Sequence, residues 1–193
     1  MARSREGMDT NLDLEGPHWW FALALYSQPG VADTCLMLQD RLGLDINILL
    51  FATYATTECS MTVTVQDIQA MDAAVQAWRT EAVTPLRALR RRLKQGFGPL
   101  ESEYAEMLRS KVKQSELLAE QIELAMLARW LGQRSGHWAS EKADLSEVLN
   151  RVIAHFAQGT STTEGAGALD LDGALSTLSL AAKSATSTPI RSP

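Results

Sequence analysis

Apolar positions recur at helical spacing on both sides of a short break in the segment Pro29–Tyr54. Val31, Cys35, Leu38 and Leu42 form one stripe, and Ile46, Leu49, Leu50 and Tyr54 form a second. Gly43 stands where a helix closes in a left-handed residue, and Asp45 stands where the next helix needs a cap. The pattern predicts two helices joined by a tight corner, with both stripes on one core. Ahead of them, residues 1–15 are polar and read as a flexible N-terminus. Glu15-Gly16-Pro17 opens a helix with Trp20, Leu23 and Ala24 on its buried face, which turns Trp19 toward a surface groove or under the tail.

After a loop over 57–64, Thr64 and Asp67 have the spacing of a capping box. Met71, Val75, Trp78, Ala82, Leu86, Leu89 and Leu93 then keep step through Pro85, which predicts one helix over 65–95, kinked at the proline. Near 101–131 a long helix of about 45 Å is expected, with Tyr104, Met107, Leu108, Val112, Leu118, Ile122, Ala125 and Trp130 as its stripe and one end projecting or meeting a partner. Ser140 caps a last helix with inward Leu145, Val148, Leu149, Val152, Ile153 and Phe156. Residues 158–193 are rich in Gly, Ser, Thr and Ala and read as a low-complexity, disordered tail whose removal leaves the domain intact; a docking helix on Leu169, Leu171, Leu175 and Leu178 is the alternative. The expected fold is an all-α, single-domain bundle of about six helices over 16–157.

A hydrophobic content of 46% and a charged content of 21% are those of a globular domain. The net charge of −5 speaks against whole-protein affinity for nucleic acid. No apolar run reaches the length of a membrane span, and the first residues lack the core of a secretory signal. The two cysteines, Cys35 and Cys59, read as reduced residues of a cytoplasmic protein. His18, His137 and His155 have no metal-binding spacing, and no phosphate loop or nucleophile elbow appears, so neither cofactor nor metal is expected.

The candidate chemistry is basic. Residues 79–94 carry six basic residues against Glu81 alone. With Leu86, Leu89 and Leu93 turned inward, Arg87, Arg90, Arg91 and Lys94 share the outer side, with Arg79 nearby, and form a face for a macromolecular partner. The bland reading pairs this face with the glutamates of the long helix, where Glu101, Glu103, Glu106, Glu116, Glu120 and Glu123 outnumber the cations. A second candidate is a pocket between the corner and the Trp19 helix, near Asp40, Asp45 and Asn47. There the simpler role of Asp45 is a helix cap.

The stretch HWWFALALYSQPGVADTCLMLQDRLGLDINILLF, followed by WRTEAVTPLRALRRRLK, resembles a family of short, mainly proteobacterial proteins carried as a domain of unknown function. The likeness spans residues 18–131 and rests on the PGV, LQD, GLD-N-LL and WR–PLR–RR elements. It implies an all-helical fold and assigns no activity, cofactor or catalytic residue. The leading expectation is a non-enzymatic cytoplasmic adaptor that binds another protein through the arginine face. A small-molecule-binding or enzymatic protein using the pocket is one alternative, and RNA or ribosome association through the arginines is the other.

Overall fold

The computed structural model describes residues 11–96, 102–134, 144–158 and 170–186, and over these the chain is helical with no strand. Residues 11–15, expected to fray, are tied to the bundle where Gln121 Nε2 donates to the carbonyl of Leu14 at 2.8 Å. Helix α1 (Pro17–Tyr26) carries its proline in the first turn, as anticipated. Its buried residues are His18, Trp19, Phe21, Ala22 and Leu25, while Leu23 is exposed and Trp20 half-buried. The inward face therefore differs from the Trp20/Leu23 face that was expected. A helix apolar nearly all round carries little phase information, and its neighbours decide which side is covered.

Helix α2 (Val31–Leu42) and helix α3 (Ile46–Thr57) make the corner that the pattern predicts. Gly43 adopts a φ of 62°, and its N–H closes on the carbonyl of Gln39 at 2.9 Å. Asp45 Oδ1 accepts from the N–H groups of Asn47 (2.8 Å) and Ile48 (3.3 Å), capping α3. Val31, Cys35 and Leu38 are fully buried, as are Ile48 and Leu49. Helix α3 is the centre of the molecule, packed by α1 and by helices farther along the chain. Two threonines survive on it without unpaired hydroxyls. Thr53 and Thr56 donate to the carbonyls of Leu49 and Ala52, four residues back, both at 2.8 Å.

Helix α4 (Val65–Trp78) begins with the anticipated capping box: Asp67 N–H donates to Thr64 Oγ1 and Thr64 N–H donates to Asp67 Oδ2. The helical rod then continues through Pro85 to Lys94. A π-helical turn (Arg79–Val83) precedes helix α5 (Thr84–Lys94), and Thr84 N–H bonds the carbonyl of Arg79, five residues back. Pro85 has no N–H to give, and in a regular helix its ring presses on the carbonyl four residues earlier. The wider turn gives the ring room. It also takes one additional residue, so α5 is turned by about 100° from the phase an unbroken helix would keep. Val83 and Leu93 are buried, whereas Leu89, expected inside, is exposed.

Helix α6 (Ser102–Gly132) is the predicted long helix, but its buried line runs through Ala105, Val112, Glu116, Ala119, Glu123 and Leu127. Tyr104, Met107, Leu108 and Leu118 of the expected stripe are exposed. Helix α7 (Leu145–Ala157) buries Val148, Leu149, Val152 and Ile153, in line with its pattern, and is capped by Asp144, whose Oδ1 accepts from Ser146 N–H at 2.9 Å. Ser140, expected as its cap, lies outside the described residues. Residues 79–83 counted with their flanking helices, the described chain holds seven helical rods, the seventh being helix α8 (Leu171–Thr186).

That seventh rod overturns the expectation of a disordered tail for residues 171–186. Ala174, Leu178, Ala181, Ala182 and Ala185 are buried against α1, α2, α3 and α7. The Gly, Ser and Ala content that suggested disorder has a different use here. Small residues at helical spacing let α8 sit close to its neighbours, and Thr177 Cγ2 would lie 3.3 Å from a Cβ added at Gly30.

Helix α8 is thus part of the core and not an appendage. Leu178→Ala should cost roughly 2–5 kcal/mol, as deletion of a buried leucine does, and truncation after Gln158 should lower the melting temperature well beyond that single change. Calorimetry of both variants checks this; an unchanged melting temperature in the truncated chain would detach α8 from the core.

Candidate functional site

The rotation imposed by the π turn decides where the arginines go. Arg87 Nε donates to Glu116 Oε1 at 3.2 Å and its Nη2 to Glu120 Oε1 at 2.6 Å. Arg90 grips Glu116 with two donors, Nε to Oε2 and Nη2 to Oε1. Glu116 is 5% exposed, so this is a buried carboxylate between two guanidiniums. The outward arginine face expected from the sequence is therefore corrected for Arg87 and Arg90, which face α6. Arg79 is turned inward as well, to Asp45 (2.7 Å) and Asp72 (2.6 Å). Arg91 is exposed and paired with the exposed Asp40 at 2.9 Å. Lys94 is exposed at the end of α5, on an open cleft with Glu103, Glu106 and Arg109.

The pairs of Arg87 and Arg90 with Glu116 and Glu120 form one wall of a pocket of about 370 Å³, open to solvent on one side. Trp19, Ala22, Leu23 and Tyr26 of α1 line it, with Leu36 and Gln39 of α2 and Ile46, Asn47 and Leu50 of α3. Arg87 and Arg90 of α5 and Lys113, Glu116, Leu117, Glu120 and Leu124 of α6 complete it. Of the four residues proposed for a pocket, Trp19 and Asn47 line this one. Asp45 is committed to capping α3 and to Arg79, and Asp40 lies outside, bound to Arg91. Tyr26, Lys113 and Leu117 were not foreseen. Glu116 and Glu120, one helical turn apart, were noted only as counterions, and that spacing on the long helix was the one available signal.

Behind Asn47 lies a second polar group that crosses the bundle. Asn47 Nδ2 donates to Glu123 Oε2 at 2.7 Å, and the Glu123 carboxyl also faces the Asp45 carboxylate. Full burial, reinforced by the negative charge of Asp45, pushes the Glu123 carboxyl up to about 9; Asn47 and Arg79 oppose the shift. Glu123 is thus a neutral acid at neutral pH. From Asp45 the chain of contacts runs through Arg79 to Asp72, whose Oδ2 lies 2.9 Å from His155 Nε2. Burial works against the charge of Asp72, yet the bonds from His155 and Arg79 win and hold its carboxyl below the usual range. Five elements contribute to this network, and no three of its groups converge as metal ligands among the described residues. Nor is any helix there long and apolar enough to cross a membrane.

The chain belongs to a family of unknown function: the family model described as "Protein of unknown function (DUF2390)" matches residues 17–127. No curated protein and no solved structure matches it. The matched span covers α1 to most of α6, and so contains every residue that lines the pocket.

The pairing makes Arg90 structural. Arg90→Glu should destabilise by about 3 kcal/mol, because it leaves the buried Glu116 facing a like charge, and urea unfolding would measure it; a loss within error would return Arg90 to the surface. Glu123 sets a pH dependence of known sign. Below its ordinary unfolded value the carboxyl is protonated in both states and costs nothing. As pH rises toward about 9 the unfolded chain releases a proton that the native state keeps, so stability declines across this window. Glu123→Gln should therefore raise the melting temperature more at pH about 8 than at pH about 5; an equal gain at both would refute a neutral Glu123.

Proposed function

We propose that this member of the DUF2390 family is a non-enzymatic binding protein for a small amphipathic molecule, seated between α1, the α2–α3 corner and the α5–α6 pair. The observation that carries this is the pocket itself. Its volume of about 370 Å³ falls in the range of small-ligand sites, about 300–1,000 Å³. Its walls are mostly apolar, and its charged groups collect on the α5–α6 side.

Binding is favoured over turnover by what lines the space. No serine, cysteine, histidine or aspartate is among the lining residues, and both carboxylates are engaged by arginines. Tyr26 and Lys113 are the nucleophile types present, and the two carboxylates that could serve them as bases are held by Arg87 and Arg90. Docking of a protein or an RNA on residues 79–94 would have to rely on Arg91, Arg92 and Lys94, since Arg79, Arg87 and Arg90 face acids within the fold. The free thiols of Cys35 and Cys59 favour a reducing compartment such as the cytoplasm.

A neutral, environment-sensitive dye tests the pocket. N-phenylnaphthylamine should bind one equivalent with a rise in fluorescence. Leu23→Trp, which adds bulk at a wall residue that is already exposed, should weaken it by at least about tenfold while the circular dichroism stays unchanged. A wild-type protein that leaves the dye dark would end this reading.

A further inference from the structure

The polar side of the pocket is unequal in charge. Glu116 accepts three bonds, two from Arg90 and one from Arg87, and Glu120 accepts one from Arg87 at 2.6 Å. Asn47 Nδ2 is committed to Glu123. Both carboxylates facing the space are thus held by guanidiniums. Cationic donors on the same side are unmatched: Lys113 is exposed and pairs with no carboxylate among the described residues, and Nη1 of Arg87 and of Arg90 bonds none of them. Three cations line the pocket against two carboxylates, a local excess of one positive charge in a chain of net −5.

We propose that the ligand is an amphipathic monoanion, an apolar body bearing a single carboxylate, with its headgroup at Lys113 and its body against Trp19, Leu23, Leu36 and Leu50. This rests on the pocket being a ligand site. The arginine–glutamate pairs act as a frame. They hold two guanidiniums in place, so their remaining N–H groups need little reordering to meet an acceptor. A cationic headgroup would add a fourth positive charge beside carboxylates already held by guanidiniums. A neutral hydroxyl would leave the ammonium of Lys113 uncompensated. A dianion would exceed the single positive charge available.

Displacement of bound N-phenylnaphthylamine by ligands of one chain length separates these cases. At near-neutral pH decanoate should displace the dye at about tenfold lower concentration than decanol or decylamine, the margin of one charge-assisted hydrogen bond. Lys113→Met, at an exposed residue with no acidic partner, should abolish the preference, so that decanoate and decanol displace the dye at the same concentration. Decanol or decylamine displacing as well as decanoate, decyl phosphate displacing better, or a Lys113→Met protein that keeps the decanoate preference would each overturn the headgroup assignment while the pocket stands. A wild-type protein that does not take up the dye would instead sink the pocket and the assignment with it.

Discussion

Pro85 cannot sit in a regular helix, and the accommodation of that fact organises much of the molecule. The rod from Val65 to Lys94 stays continuous by inserting a π turn at Arg79–Val83. The inserted residue rotates everything that follows. Without that rotation Leu86, Leu89 and Leu93 would point to α6 and the arginines to water, as the heptad-like spacing suggests. With it, Arg87 and Arg90 meet Glu116 and Glu120, and Leu89 is left outside. A backbone constraint at one residue thus converts a basic surface into an internal ion-pair frame.

The frame and the network behind it are not there for stability alone. Buried ion pairs recover little more than their desolvation, and well-packed apolar residues often do as well. What they supply is uniqueness. Arg79 can satisfy Asp45 and Asp72 together only if the cap of α3, the π turn and α4 are in one arrangement, and His155 adds α7 to it. Glu123, neutral at working pH, adds α6 through Asn47 without a further buried charge. An apolar interface among these helices would lack directional bonds of this kind to set its register.

The local signals in the sequence were sound wherever a backbone rule decided the outcome. Gly43, Asp45, and the Thr64/Asp67 box each do what their position requires, and the α7 stripe lies where its period puts it. The failures have a common cause: a phase or a composition was read without its partner. The extra residue of the π turn is invisible in a pattern that continues unbroken on either side of it. On α6 the line that faces inward includes Glu116 and Glu123, because guanidiniums and an amide wait opposite, and no reading of hydrophobicity selects a glutamate as core. The alanines of α8 resemble a linker until α1, α2 and α7 are seen to offer a surface that needs small residues. The pocket combines these errors. Trp19 and Asn47 were within reach, but its charged wall depends on the rotation.

That charged wall also explains why the pocket does not close. A sealed, dry cavity costs about 24 cal/mol per Å³. At about 370 Å³ the total would be on the order of 9 kcal/mol, comparable to the whole stability of a domain of this size, about 5–15 kcal/mol. The space is tenable because it opens to solvent and is lined on one side by Lys113, Glu116 and Glu120, polar groups that favour water over a dry void. Collapse would force those groups to shed water that the frame cannot replace. Along the opposite wall, however, Leu23, Leu36 and Leu50 give water no acceptor or donor. Water held against such a surface is poorly ordered, and its displacement by an apolar body is favourable. The arrangement thus keeps a space open on its polar side and makes it worth filling on the other.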